Sequence, residues 1–189
     1  MGPGESSTIV PIDWCREAHT RDGIAYRIRP IAECDLERER TFIAGLSTES
    51  RYKRFLNDFR EPPPALVNQF VHVNYRDSMA FVATTGAADA ESFLGIGRYA
   101  LDTSCDRTEF AVSVADDWQG RGIGAALVSV LFEYARMQGI QRLVGWVLAT
   151  NEPMLRLARS FHMRQRSVPW DPALVEVEVE VQLDAAPHS

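Results

Sequence analysis

Cysteine is scarce in this chain, and its three copies, Cys15, Cys34 and Cys105, lie far apart. An odd, scattered set supplies neither a disulfide framework nor the paired spacing of a zinc site. Free thiols in a reducing cytosol, and no metal, are expected. No apolar run approaches the ~20 residues that cross a bilayer. The start has no charged segment followed by an apolar one, so neither a membrane anchor nor a secretory leader is expected. Positive charge is not in excess either. Twenty Lys and Arg stand against 26 Asp and Glu, a formal net charge of −6. A sequence-independent nucleic-acid binder should be basic, which argues against DNA or RNA as the main partner.

What is present fits one domain with a sizeable core: 189 residues, 46% hydrophobic and 24% charged. The informative stretch runs from Val112 to Ala125. An apolar, strand-like run (Val112-Ser113-Val114-Ala115) meets the short acidic turn Asp116-Asp117-Trp118. Gln119-Gly120-Arg121-Gly122-Ile123-Gly124-Ala125 follows, and then a long amphipathic segment. A strand, a glycine-rich loop and a helix start leave several backbone N–H groups without partners, with the positive end of the helix dipole behind them. Glycine lets such a loop take positive φ and approach a ligand closely. The product is a pocket for a phosphate or pyrophosphate. No Lys followed by Ser or Thr comes after Gly124, which removes the P-loop. Ala125 and Leu127 remove the dinucleotide fingerprint G-x-G-x-x-G.

The remaining pattern is Q-x-x-G-x-G on Gln119, Gly122 and Gly124. It resembles the coenzyme A pyrophosphate loop of the GNAT superfamily of N-acetyltransferases. A second stretch, Leu46-Ser47-Thr48-Glu49-Ser50-Arg51-Tyr52-Lys53-Arg54-Phe55, resembles the segment ahead of the core in bacterial protein-lysine acetyltransferases of that superfamily. The resemblance spans about residues 23–183. It implies an α+β fold: a largely antiparallel, centrally splayed sheet of six or seven strands with helices on both faces.

Taken in order, residues 1–22 read as a flexible N-terminal extension, with Trp14 as a candidate anchor. Residues 23–184 read as the single domain and 185–189 as a tail. Residues 24–30 alternate like a strand and stop at Pro30. Asp35 is placed as the cap of a helix to about Leu46. Ser47 with Ser50 or Glu49 suggests a capped second helix. After Pro62-Pro63-Pro64 comes another short helix. Residues 78–85 and 92–101 read as a hairpin, and residues 107–115 as the strand that feeds the loop. The next helix, about residues 120–138, puts Ile123, Leu127, Val130, Leu131 and Tyr134 on one face. A buried strand spans 142–149, and Asn151 opens a further helix. Val175, Val177, Val179, Val181 and Leu183 then alternate with Glu176, Glu178, Glu180 and Gln182, which places the glutamates on a solvated face.

The resemblance implies direct attack of an amine on acetyl-CoA. Backbone amides of Gly120 to Ala125 would hold the pyrophosphate. Arg121 either adds a charged bond or points to solvent. Val112, Ser113 and Val114 would pair with the pantetheine as with another strand. That requires the sheet to open beside Val114, because a fully paired strand has no free groups to offer; in the family a bulge does this. Asn151 has two compatible roles, helix cap and coenzyme contact. A lysine amine has a pKa of about 10.4, so near pH 7 only about one in a few thousand is neutral. Glu109 matches the family's catalytic glutamate and is the candidate base; by itself it also reads as a solvated strand carboxylate. Many relatives have a tyrosine on the last helix as general acid, where this chain has Ala158. A thiol ionises near pH 8.5, so its thiolate can leave without that acid. His162-Met163 replaces a common Gly-Phe at the end of this helix. The acceptor is read as a protein lysine, with a polyamine or amino-sugar as the rival. A non-catalytic acyl-CoA sensor remains open, as do monomer and homodimer. A cytoplasmic location is expected.

Overall fold

The computed structural model describes residues 10–57, 59, 61–87, 90–103 and 107–181. The thiol of Cys105, the residues Gln182 and Leu183 of the last alternating run, and the tail 185–189 lie outside the described residues.

The strands are β1 (Arg16–His19), β2 (Ala25–Pro30), β3 (Ser78–Thr85), β4 (Ser92–Asp102), β5 (Arg107–Val114), β6 (Arg142–Leu148), β7 (Arg164–Val168) and β8 (Asp171–Glu180). The helices are α1 (Leu36–Gly45), α2 (Thr48–Phe55), α3 (Pro64–Val71), α4 (Ile123–Met137) and α5 (Glu152–Ser160). All eight strands form one sheet in the order β1-β2-β3-β4-β5-β6-β8-β7. Every neighbouring pair is antiparallel except β5 and β6.

Period-two alternation divides the core between the two faces of the sheet. Met79, Phe81 and Ala83 of β3 join α4, whose Leu127, Val128, Leu131 and Tyr134 are buried. Ala80 and Val82 point the other way, to Phe42 and Ile43 of α1 and Val71 of α3. The α4 helix settles close to β4 because Gly97 has no side chain; a Cβ there would sit 3.3 Å from the Cβ of Leu127.

The sheet has eight strands rather than six or seven, and one of the additions lies inside the stretch read as an extension. Residues 16–19 pair with β2, from Arg16 opposite Ile28 to His19 opposite Ala25. Residues 16–19 are therefore part of the sheet. Trp14 anchors the strand, its ring 4.9 Å from Tyr134 and 6.0 Å from Phe81. Arg16 adds a two-pronged bond to Glu133 of α4 at 2.8 and 2.9 Å. Four residues with exposed alternate positions carry too little apolar signal to stand out in the sequence.

Two other readings need correction. Asp35 precedes α1, but its carboxylate does not cap the helix. It is fully buried and holds Arg29 at 2.7 and 2.8 Å and the Ala32 amide at 2.9 Å. Glu176 and Glu178 do not lie on a solvated face. Strand β8 is interior, with β6 on one side and β7 on the other. Glu178 is buried between Arg142 and Arg164, and Glu176 meets Arg107 at 3.4 Å.

Candidate active site

The one parallel pairing is also where the sheet opens. Strand β5 pairs with β6 only at Thr108↔Leu143 and Glu109↔Val144. Beyond that, β6 continues along β8 as far as Leu148↔Leu174, while β5 continues along β4 to Val114↔Gly95. The β6-facing edge of residues 111–114 is left without a strand partner. At the vertex Gly145 admits the Phe110 ring; a Cβ on Gly145 would sit 3.0 Å from it. The opening expected beside Val114 is present, but no bulge makes it: the β4–β5 register runs unbroken. The divergence of two strands with different partners is sufficient.

The glycine loop lies at the open end. Gly120 and Gly122 take φ of 75° and 96°, values that cost any residue with a Cβ. Helix α4 starts at Ile123, three residues later than the sequence reading, and no side chain caps it. The amides of Ile123, Gly124 and Ala125 lie in its first turn, ahead of the first helical bond from Ala126 to Gly122. They face outward as donors with the helix dipole behind them. Ile123 itself is 1% exposed, with its side chain packed in the core.

A cleft of about 520 Å³ joins these features. Its lining includes Val112, Ser113, Val114, Gln119, Gly120, Gly122, Gly124, Ala125 and Asn151, but not Arg121 or Ile123. It also includes Arg21, Lys53, Arg54 and Arg156, and no Asp or Glu. In a chain of net charge −6, that reversal of sign is local and favours an anionic ligand. Free main-chain donors, an open strand edge and cationic walls suit the pyrophosphate and amides of coenzyme A.

Arg121 is not part of this wall. Its guanidinium bonds Asp22 at 2.9 Å and lies over the Trp118 ring. Arg21 stands there instead. Its amide donates to the Arg121 carbonyl at 3.0 Å, and its side chain passes beside Gly122. Sequence reasoning missed it because the turn between β1 and β2 is 99 residues from the loop it meets. Asn151 accepts from the Met154 amide at 3.3 Å and so caps α5 while lining the cleft.

The match to known proteins follows this geometry. Residues 48–163 match the model of the "Acetyltransferase (GNAT) family". The chain belongs to the GNAT acetyltransferases. It is 41% identical over 133 residues to acetyltransferase PA5475 of Pseudomonas aeruginosa, covering 70% of this chain and 72% of that one. It is 35% identical over 142 residues to acetyltransferase Pat of Mycolicibacterium smegmatis, covering 72% of this chain and 40% of that longer protein. Among solved structures, the GNAT domain of S. lividans PAT superposes with a TM-score of 0.82 at 29% identity, over 90% of this chain and 98% of that one. GNAT enzymes use acetyl-CoA, and this chain is an enzyme of that kind.

On the opposite face of the GNAT sheet, Glu109, Ala111 and Ser113 form a row with Ala100, Arg98 and Ile96 of β4. Glu109 does not line the cleft. It is exposed at the vertex, the last β5 residue paired with β6, and accepts a bond from Trp146 Nε1 at 3.1 Å. Ala158, at the place of the family's tyrosine, is fully buried. His162 takes φ of 54° just after α5, a conformation that favours the more common glycine.

The stretch from Leu46 to Phe55 is tied to the segment that leads into the loop. Asp116 accepts from the Ser47 amide at 2.9 Å, the Ser47 hydroxyl at 2.8 Å and the Ser50 hydroxyl at 2.7 Å. Burial opposes the Asp116 charge, but these bonds prevail and hold its carboxyl below the ordinary range. Gln119 spans Ser50 and the Val114 carbonyl, and Arg51 turns back to the last carbonyls of α1, Ala44 and Leu46.

Proposed function

We propose that the protein transfers an acetyl group from acetyl-CoA to the side-chain amine of a protein lysine, with Glu109 as the base. The observation that carries this reading is the unpaired edge of residues 111–114, running from the glycine loop to Glu109. When bound, acetyl-CoA supplies the acyl group as a thioester. The amides of Gly120 to Ala125 and the Arg21 side chain would hold its phosphates, the backbone of Val112, Ser113 and Val114 its pantetheine, and Asn151 would add a polar contact. Glu109 takes the proton of the incoming ammonium. The amine nitrogen then bonds to the carbonyl carbon, the C–S bond breaks, and the sulfur leaves as a thiolate that takes up the second proton the nitrogen sheds. Trp146 holds one oxygen of the Glu109 carboxylate and leaves the other for the amine.

Support for a protein acceptor comes from the likeness of residues 46–55 to the protein-lysine branch and from the similarity to Pat and PAT. Exposure of Glu109 at the vertex supports it too, because a lysine on a folded protein must be reached from outside. The test is thiol release from acetyl-CoA with lysine peptides, folded proteins and small amines. Saturable acetylation of a protein lysine is expected. Efficient turnover of a polyamine or amino-sugar with none of any protein would replace this acceptor. No turnover together with tight coenzyme binding would favour a sensor.

A further inference from the structure

The last turn of α2 carries a guanidinium that feels the Glu39 charge but spends none of its N–H donors on the described residues. Arg54 is partly buried and lines the cleft with Leu46, Ser50, Lys53 and Ser113. Its flat face rests on aromatic rings, 4.8 Å from the centre of Phe55 and 5.7 Å from that of Phe70. Stacking of this kind satisfies the face of a guanidinium and leaves its five N–H donors in the plane unspent. Among the described residues Arg54 makes no hydrogen bond or ion pair. Lys53 next to it is paired with Glu49, and Arg156 reaches Glu152.

A second arginine stands behind it. Arg98 of β4 lies over the same Phe70 ring at 3.9 Å and is spent on Glu39 at 2.6 Å and the Phe70 carbonyl at 3.2 Å. Glu39 is 1% exposed, and its second oxygen has no partner. Around the Phe70 ring two guanidinium groups stand against the one carboxylate of Glu39. A partly desolvated excess of positive charge favours binding of an anion.

The position selects the kind of anion. The Ser47 cap of α2 is tied to Asp116, just ahead of the glycine loop, and the helix runs back toward Arg98, which faces Ala111 across the β4–β5 pair. Arg54 therefore belongs to the stretch of β5 between the loop and Glu109, where the reacting groups meet rather than where phosphates are held. We propose that Arg54, backed by Arg98, is a carboxylate subsite, so that the enzyme favours a substrate bearing a carboxylate close to the reacting carbonyl or amine. This rests on the acyl-transfer reading of the cleft. A guanidinium edge takes a carboxylate through two parallel bonds. The carboxylate has two possible sources: the acyl chain, as in a succinyl thioester, or the acceptor, as a glutamate beside the target lysine.

One panel separates the sources. Acetyl-CoA and succinyl-CoA are compared on one acceptor, and lysine peptides with a neighbouring glutamate or glutamine are compared on acetyl-CoA. The expected result is a preference of at least about tenfold in kcat/KM for the carboxylate-bearing member of one pair. That preference is expected to vanish in Arg54→Gln and to survive in part in Arg54→Lys. Thermal melting confirms that both variants fold, and each ratio is taken within one variant, so a general loss of activity cancels. Turnover without preference in the native protein, or a preference that survives in Arg54→Gln, would overturn this subsite alone. No acyl transfer with any pair would overturn the reading of the cleft and the subsite with it.

Discussion

The two sides of the β5 opening are built on different physical terms. The coenzyme side is mostly main chain: the amides of a helix start, two glycines at positive φ and the free edge of residues 111–114. The side read as the acceptor's is made of side chains: Ser47, Ser50, Arg51 and Arg54 of the α2 segment, and Glu109 and Trp146 on the strands. Main-chain groups recognise one constant ligand with little dependence on side chains. Side chains can be exchanged without disturbing the sheet. On the proposed reading, the architecture separates a constant carrier from a variable acceptor.

The sharpest way to break this comparison is at Glu109. Glu109→Gln should lower kcat by about 10²–10⁴-fold while leaving coenzyme affinity nearly unchanged. Full rate across pH in that variant would remove Glu109 as the base. Next comes the opposite insult, Gly122→Val. A β-branched residue at φ of 96° would strain the loop and press on Arg21, so the Kd for coenzyme A, read by calorimetry, should rise about tenfold or more. Arg21→Ala should raise the KM for acetyl-CoA about three- to tenfold, with kcat little changed and a weaker dependence on salt. An unaltered salt slope would place Arg21 outside the phosphate site.

The smallest effect is expected at the joint between the two sides. Asp116→Asn weakens the tether of α2, so the KM for the acceptor should rise about threefold while coenzyme affinity holds. The Asp116 carboxyl is held below its ordinary range. Its stabilising contribution is therefore present above the unfolded value of about 3.9 and is lost as pH falls through the lower folded value. Loosening of α2 with acid should begin only below about pH 4, as read by proteolysis near Phe55, and should be absent as a separate step in Asp116→Asn. A transition nearer pH 6 would show that another group holds the joint.

Legibility followed the same division. Gln119, Gly122 and Gly124 could be read because a strand, a glycine loop and a helix start are contiguous, and the structure gathers them around the cleft. Arg21 was hidden because its partner, the Arg121 carbonyl, lies far away in the chain, in another element. Arg121 was left open for the same reason: whether a loop arginine faces a ligand or Asp22 depends on a turn the local sequence does not contain. The glutamates of β8 alternate as a half-solvated strand should, yet two of them are covered by arginines from neighbouring strands. Period two reports which residues share a face, not what lies across it.

The sequence by itself determined that a strand, a glycine loop and a helix adjoin, that the chain has the GNAT order of elements, and that Glu109 shares a face with Ala111 and Ser113. These are properties of backbone geometry within a few residues. Only the tertiary structure decided that β5 and β6 part after Glu109, that Arg21 replaces Arg121 at the cleft, and that Arg54 is left with unspent donors. Each of those depends on contacts between segments far apart in the chain, and packing against distant partners, not local preference, sets where a long side chain ends.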